Sequence, residues 1–197
     1  MEICYNFRAV NTEREILFDY PVRMPKDVYE QLEHLSDFGE RKMSCSALER
    51  GIVILLTSYG VKIEESSSRP KSVTHIKEKT RRRNSTTPLK DINGVRIITE
   101  EGNRERLIDI IQSAYPATPK FFADGKPSAR DYRDPKVREQ NIEKSNPNMS
   151  PLYSALHINF VFQREGSTLY DIGEVQIMTQ GEFEIYKQTR KDYPHGV

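Results

Sequence analysis

The stretch LHINFVFQREGSTLYDIGEVQIMT, residues 156–179, decides the fold of this chain. Its first part, LHINFVF, places apolar side chains at every second position, and its last part repeats the pattern at Val175 and Ile177. An alternation of period two is typical of a strand that is buried on one face. The polar segment 164–167 lies between the two runs and favours a hairpin turn. The sequence therefore predicts two antiparallel strands joined by a turn.

Helices are predicted along the N-terminal half of the chain. Ser46 and Glu49 have the spacing of a capping box and predict a helix over 46–60. Serines 66–68 predict a break in regular structure. A basic helix is predicted over 70–83, because proline suits the first turn of a helix.

The remaining predicted elements complete an α+β pattern. They are, in chain order, a helix over 25–36, a strand over 95–99, a helix capped near Asn103, a loop over 116–152 with a short strand at 121–122, and a helix from Gln180. Helices beside an antiparallel or mixed sheet predict an α+β fold. We expect a helical segment, residues 1–65, to pack on a core formed by residues 66–197.

The composition excludes several classes of protein. The chain has 197 residues, of which 36% are hydrophobic and 30% are charged, and this predicts a modest core and a wet surface. Its longest apolar run, residues 52–56, is too short to span a membrane. Two cysteines and four scattered histidines make neither a disulfide framework nor a zinc ligand set. The N-terminus has no signal-peptide pattern, so we expect a cytoplasmic protein in a reducing environment.

Positive charge is concentrated in one part of the chain. Residues 66–96 contain nine bases and two acids, a net charge of +7, although the whole chain carries only +1. Residues 1–65 contain 12 acids and 8 bases. A basic stripe in a near-neutral protein indicates a site for phosphate groups, and a solvated helix face is the alternative interpretation.

The strand pattern also places polar side chains together on one face of the sheet. Glu174 and Gln176 alternate with apolar residues and therefore lie on the opposite face, and His157 does the same on the neighbouring strand. Asp91 lies just before the strand predicted at 95–99. Two carboxylates beside an excess of cations indicate a Mg²⁺–nucleotide site, because Mg²⁺ takes one or two carboxylates together with phosphate oxygens. The chain has no glycine-rich phosphate loop of the P-loop or Rossmann type.

Four blocks of sequence resemble the RelA/SpoT synthetase domain and occur in the order of that family. They are RPK at 69–71 with Lys79 and DINGVR at 91–96, then RDYRDPK at 130–136, YSALH at 153–157 and GEVQIMT at 173–179. Within that family, the chain resembles the small stand-alone alarmone synthetases. It implies a nucleotidyltransferase-like fold and a Mg²⁺-dependent pyrophosphokinase. Such an enzyme transfers the β,γ-diphosphate of ATP to the ribose 3′-hydroxyl of GDP or GTP and releases AMP, giving the alarmone (p)ppGpp.

The resemblance also implies a role for each residue at a matching position. Asp91 and Glu174 would be the catalytic metal ligands, and Glu174 would also take the proton from the attacking hydroxyl. Arg69 and Arg96 would stack on the two faces of adenine, which planar guanidinium groups allow. Tyr153 would stack on the acceptor base. ATP would be bound by Arg69, Lys71, Lys79, Arg82 and Arg96, and the acceptor by Tyr153, His157, Gln176 and Lys136.

Several positions near the acceptor pocket depart from the family pattern. Leu152 replaces a glycine, Ala155 replaces a serine and Met178 replaces an arginine. These departures keep other acceptors open: the 3′ end of tRNA, as in toxin members of the family, or an adenosine nucleotide. A toxin can also have an antitoxin protein as its partner. An inactive nucleotide- or RNA-binding module is the alternative from another class. A tRNA would contact the basic residues Arg81, Arg83, Arg138 and Lys144.

Overall fold

The computed structural model describes residues 38–83, 89, 91–115, 129–144, 149–163 and 170–191. In this part of the chain, five strands form a single sheet that is accompanied by five helices. The strands are β1 (Glu65–Pro70), β2 (Asn93–Ile98), β3 (Ala129–Asp131), β4 (Leu156–Gln163) and β5 (Tyr170–Met178). The helices are α1 (Phe38–Ser58), α2 (Val73–Arg83), α3 (Arg104–Ala114), α4 (Pro135–Lys144) and α5 (Gln180–Lys191). None of these described helices combines the length and apolar character that crossing a membrane requires.

The sheet is mixed, with the strand order β1-β2-β5-β4-β3. β2 and β5 are parallel, whereas the β1–β2, β5–β4 and β4–β3 pairs are antiparallel. Strands that are distant in sequence, β2 and β5, are therefore neighbours at the centre of the sheet. The α+β fold with a mixed sheet that the sequence predicts is confirmed.

The hairpin predicted from residues 156–179 forms two neighbouring strands of this sheet. β4 and β5 are antiparallel, and His157 lies opposite Gln176 in their register. The turn predicted at 164–167 lies outside the described residues. Most of the apolar set of each strand is fully buried, as the alternation predicts, and Phe162 near the end of β4 is partly buried. The fully buried residues are Leu156, Ile158 and Phe160 on β4, and Val175 and Ile177 on β5.

The apolar face of the sheet is covered by α1 and α3. Burying one large aliphatic side chain contributes about 1.5–3 kcal/mol, so this layer is the main source of stability among the described elements. α1 packs on the same core as the strands. The predicted boundary at residue 65 between a helical segment and the core stays a prediction. The shared core contains Leu48, Ile52 and Leu56 of α1, Val95 and Ile97 of β2, and Leu107 and Ile111 of α3.

The predicted break at serines 66–68 is wrong, because these residues form the middle of β1. β1 pairs with β2 along its whole length. The Ser66 hydroxyl donates to Glu49 Oε1 (2.6 Å), and the Ser68 and Ser46 hydroxyl oxygens lie 3.2 Å apart. Serine has no strong preference for a strand, so pairing with β2 and contacts with α1 decide the conformation here.

Two predicted helix starts are also wrong. α1 begins at Phe38, well before Ser46, and the predicted capping box does not form because both of its side chains contact serines of β1. α2 begins at Val73 rather than at Pro70, which is the last residue of β1. The Ser72 hydroxyl accepts a hydrogen bond from a backbone N–H in the first turn of α2 (3.3 Å), as an N-cap does.

The segment 116–152 contains more regular structure than the predicted loop, because β3 and α4 lie within it. β3 is short and is defined by its pairing with β4. At the start of α4, the Asp134 carboxylate accepts a hydrogen bond from a backbone N–H of the helix (2.9 Å). The cap predicted at Asn103 is confirmed, since its side chain accepts a hydrogen bond from the backbone of α3 (3.1 Å). The predictions at 25–36 and 121–122 lie outside the described residues.

Gly173, the residue before Glu174, has no room for a side chain. A Cβ atom at this position would lie 2.6 Å from two ring carbons of Phe160, which is fully buried. We expect Gly173→Ala to lower the free energy of unfolding by roughly 1–3 kcal/mol, because the ring cannot move in a packed core. Gly181→Ala is the matched control, since no described atom lies within 4 Å of its Cβ position. Chemical denaturation measures both variants, and an unchanged unfolding midpoint for Gly173→Ala would contradict this packing.

Candidate active site

The face of the sheet opposite the apolar core carries polar side chains, and four of them are called the polar face here: Arg96 on β2, His157 on β4, and Glu174 and Gln176 on β5. β5 lies between β2 and β4, and the register places Gln176 beside both Arg96 and His157. Glu174 shares this face because it lies two residues earlier on the same strand. Three strands that meet only in the folded sheet therefore supply the polar face.

Asp91 is surrounded by positive charge where β1, α2 and β2 meet. Lys71 follows β1, Lys79 lies on α2, and Asp91 precedes β2. Asp91 Oδ2 accepts hydrogen bonds from Lys71 Nζ (2.9 Å) and from Lys79 Nζ. Burial raises the pKa of the Asp91 carboxyl, but the charges of the two lysines outweigh burial and hold the pKa well below its usual range. The group is therefore a carboxylate at neutral pH.

Glu174 lies in a hydrogen-bonded series on the polar face. Its Oε1 accepts a hydrogen bond from Gln176 Nε2 (2.8 Å), and its Oε2 lies 3.2 Å from His157 Nδ1. His157 Nε2 lies 2.5 Å from the Tyr153 hydroxyl oxygen. Burial raises the pKa of the Glu174 carboxyl, but the charge and hydrogen bond of His157 more than offset it, so the pKa lies below its usual value. These contacts hold Glu174 ionised and in one orientation.

Gln176 connects Glu174 to the two arginines that are predicted to bind adenine. Gln176 Oε1 accepts a hydrogen bond from Arg69 Nη1 (3.2 Å), and Arg96 Nη2 lies 3.4 Å from the same oxygen. Arg96 is only 7% exposed, and burial together with the charge of Arg69 lowers the pKa of its guanidinium group. The structure thus brings both guanidinium groups to one amide oxygen. The expectation that Gln176 binds the acceptor stays a prediction.

Tyr153 is buried among other rings. Its ring centroid lies 5.8 Å from Tyr132, 5.7 Å from His157 and 5.9 Å from Tyr186, and all three pairs are edge-on. The residue is 9% exposed, and burial raises the pKa of its phenol well above the usual value. Its hydroxyl contacts His157, so Tyr153 takes part in the series that leads to Glu174. Stacking of its ring on an acceptor base stays a prediction.

The side chains of Lys136, Arg81 and Arg138 take no part in the described contacts among the side chains of Tyr153, His157, Glu174 and Gln176. Lys136 is exposed in the first turn of α4, and Arg81 is exposed on α2. Arg138 is half-buried, and its Nη1 donates to the backbone carbonyls of Tyr132 (3.0 Å) and Tyr153 (3.3 Å). Arg138 therefore supports the backbone around Tyr153, and a contact with tRNA would need its other nitrogen atoms. The side chains outside the described part of the chain are those of Arg82, Arg83 and Lys144.

Sequence reasoning missed several residues of α5 and its surroundings that border the site. Glu182 Oε2 accepts a hydrogen bond from the backbone at the start of α5 (2.7 Å), and its Oε1 accepts from Ser154 Oγ (2.5 Å) and Arg133 Nε (3.1 Å). Phe183 and Tyr186 lie one turn apart on α5 and contact Arg96. The capping-box spacing TQGE at 179–182 and the i, i+3 spacing of the two aromatic residues are the signals that could have indicated them.

The carboxylates of Asp91 and Glu174 fit the Mg²⁺ site that the resemblance implies. Asp91 Oδ1 is buried and has no hydrogen-bond partner among the described residues, which leaves one charged oxygen for a cation. The charge of Asp91 also acts on Glu174 and opposes its ionisation, as expected for neighbouring carboxylates. Within the described ranges, no group of three or more His, Cys, Asp or Glu side chains could hold a metal. Mg²⁺ is commonly held by one or two carboxylates and by phosphate oxygens, so Asp91 and Glu174 have the chemistry that such a site uses.

Comparison with known sequences identifies the family of the chain. The family model described as "Region found in RelA / SpoT proteins" matches residues 68–192. The chain belongs to the RelA/SpoT family. This match includes all four sequence blocks that resemble the RelA/SpoT synthetase domain, and the resemblance is therefore confirmed. No curated protein gives a significant match.

Solved structures similar to this RelA/SpoT family chain include two from Bacillus subtilis and one from Streptococcus pneumoniae. The small alarmone synthetase 2 from Bacillus subtilis is 22% identical, over 79% of this chain and 80% of that chain, with a TM-score of 0.47. The Bacillus subtilis small alarmone synthetase 1 bound to its product pppGpp is 20% identical, over 86% and 83%, with a TM-score of 0.48. A GTP pyrophosphokinase family protein from Streptococcus pneumoniae is 17% identical, over 79% and 77%, with a TM-score of 0.49.

Proposed function

We propose that this RelA/SpoT family protein is an ATP pyrophosphokinase that transfers the β,γ-diphosphate of ATP to the ribose 3′-hydroxyl of GDP or GTP. The observation that carries the proposal is that Asp91, which two lysines hold as a carboxylate, acts electrostatically on Glu174, and that Gln176 joins Glu174 to two arginines. Transfer of a phosphate group requires mainly positioning and charge neutralisation. This group of residues offers cations for the phosphates and a fixed carboxylate for the attacking hydroxyl.

The donor nucleotide would be bound by residues of β1, α2 and β2. Arg69 and Arg96 would stack on adenine, because a planar guanidinium group can lie flat on an aromatic ring. Lys71 and Lys79 would bind the triphosphate. Both lysines contact Asp91 and belong to the stretch 66–96, whose net charge of +7 attracts phosphate.

The reaction itself would use the two carboxylates. Asp91 and Glu174 would hold Mg²⁺, which when bound neutralises phosphate charge and orients the triphosphate. Glu174 would accept the proton of the 3′-hydroxyl, while His157 keeps the carboxylate oriented. The 3′ oxygen then bonds to the β-phosphorus of ATP, the bond from that phosphorus to the oxygen bridging the α-phosphorus breaks, and AMP leaves.

Incubation with γ-³²P-labelled ATP, Mg²⁺ and one acceptor at a time tests the proposal. The acceptors are GDP, GTP, ATP and bulk tRNA. We expect label on the guanine nucleotides together with release of AMP, because the γ-phosphate moves with the diphosphate. Label on tRNA alone would assign a toxin-type activity. A new labelled adenosine product that carries an added 3′-diphosphate, with no labelled guanine product, would assign an adenosine acceptor. Binding of ATP without transfer to any acceptor would indicate an inactive binding module.

Substitution of Arg81 distinguishes a mononucleotide acceptor from a tRNA acceptor. Its side chain is exposed on α2 and belongs to none of the contacts of the polar face that the structure describes. With a mononucleotide acceptor, Arg81→Glu should leave the rate unchanged. With a tRNA acceptor, the logarithm of the tRNA binding constant should fall linearly with the logarithm of the salt concentration, with a slope of ~0.7–0.9 per phosphate contacted. Arg81→Glu should remove about one such contact and lower the slope accordingly.

A further inference from the structure

Two aromatic residues of α5 enclose the guanidinium group of Arg96. Arg96 Cζ lies 4.5 Å from the ring centroid of Tyr186 and 5.1 Å from that of Phe183. The two rings are stacked at an angle of 16°, with 6.2 Å between their centroids. Both distances from Arg96 lie within the ~6 Å over which a cation is attracted to the face of a ring. The buried guanidinium group therefore lies against a wall of aromatic rings.

Few polar contacts among the described residues fix the orientation of the Arg96 guanidinium group, so its contacts with these rings matter more. Arg96 Nη2 lies 3.4 Å from Gln176 Oε1, which is long for a hydrogen bond. Arg96 Nε is buried without a hydrogen-bond partner among the described residues. Tyr186 thus contacts the guanidinium group through the face of its ring.

Tyr186 also lies next to the acceptor side of the site. Its ring centroid is 5.9 Å from that of Tyr153, and the two rings are inclined at 64°. Tyr153 begins the hydrogen-bonded series through His157 to Glu174. Tyr186 therefore stands between the arginine predicted to bind adenine and the tyrosine predicted to bind the acceptor. None of the roles that the family resemblance implies includes this residue.

We propose that Tyr186 is a positioning residue of the ATP site: its ring covers one face of the Arg96 guanidinium group and leaves the other face for adenine. This inference rests on the proposed function, because it takes adenine as the group that Arg96 binds. A free arginine side chain samples many rotamers. A ring that holds the guanidinium plane before ATP arrives lowers the entropy lost on binding, and ATP binds more tightly as a result.

Three variants test the proposal in the full-length protein. Tyr186→Leu removes the ring and should raise the KM for ATP about 3- to 10-fold, while kcat at saturating ATP changes less than about 2-fold. Tyr186→Phe keeps the ring, so its KM should stay much closer to that of the wild type. Ile185→Ala is the matched control on the same helix, and it should change neither constant because Ile185 is 41% exposed. Tyr186 is itself only half-buried, so leucine should be tolerated in the fold.

A second measurement follows Arg96 in the absence of nucleotide. The rings of Tyr186 and Phe183 should displace the Nε–Hε resonance of Arg96 in a nitrogen-15 correlation spectrum, and only Tyr186→Leu should return it toward the ordinary position. An unchanged KM for ATP in Tyr186→Leu overturns the proposal, and so does an equal rise in Tyr186→Phe, which would assign the effect to the hydroxyl. A wild-type protein that neither binds ATP nor transfers diphosphate contradicts the proposed function. In that case the resonance alone shows whether Tyr186 holds Arg96.

Discussion

Replacement of Asp91 by asparagine is expected to lower the rate of diphosphate transfer by at least ~10²–10³-fold. Asp91 offers Oδ2 to Lys71 and Lys79, and its buried Oδ1 has no partner among the described residues. Asparagine keeps the size of the side chain but removes its negative charge. The attraction for a divalent cation is lost together with the ion pairs that hold the two lysines. The quantity to measure is kcat at saturating ATP and acceptor over a range of Mg²⁺ concentrations.

Asp109→Asn is the matched control for this variant. Asp109 is exposed on α3, and α3 packs on the opposite face of the sheet from the polar face. The rate of diphosphate transfer and the melting temperature of Asp109→Asn should equal those of the wild type. Thermal unfolding followed by circular dichroism establishes that Asp91→Asn is folded at the assay temperature. Wild-type activity of a folded Asp91→Asn protein would show that this carboxylate is not part of the site.

Replacement of Glu174 by glutamine is expected to lower kcat by ~10²–10⁴-fold, because the protein loses its proposed general base. Glutamine cannot take the proton of the 3′-hydroxyl. It also presents one acceptor oxygen where both His157 and Gln176 now contact the carboxylate, so its orientation changes as well. Single-turnover transfer with bound ATP and acceptor measures the chemical step separately from binding.

The control for Glu174 is Glu184→Gln on α5. Glu184 is exposed, and its ion pair with Lys187 contributes little at the surface. Its single-turnover rate should equal that of the wild type. If Glu174→Gln weakens ATP binding but leaves the single-turnover rate unchanged, Glu174 acts in binding and the proton passes to another group. That result would contradict the assignment of Glu174 as the base and would leave the donor site of the proposal intact.

The central hairpin shows how much a local pattern can predict. Alternation of apolar and polar residues in 156–162 and 173–177 is a property of the extended backbone, in which neighbouring side chains point to opposite faces. Burial of one face then selects the register, since a slip by one residue would expose the whole apolar set. For the same reason His157, Glu174 and Gln176 could be assigned to one face from the sequence.

Elements whose partners are distant in the chain could not be predicted in this way. Serines 66–68 form a strand because β2 pairs with them and because Glu49 of α1 accepts a hydrogen bond from Ser66. The three residues of β3 have no pattern of their own and depend on the edge of β4. Similarly, nothing near Arg138 in the sequence indicates that its side chain donates to the backbone carbonyls of Tyr132 and Tyr153.

The sequence by itself determined the α+β class, the RelA/SpoT family and the kinds of side chain that stand at the candidate site. Only the tertiary structure decided that Lys71 and Lys79 share one oxygen of Asp91, that Gln176 joins two arginines to a carboxylate, and that Tyr186 lies on Arg96. The physical reason is the strand order. β5 lies between β2 and β4, and α5 follows β5, so side chains far apart in the chain become neighbours only when the whole sheet has formed.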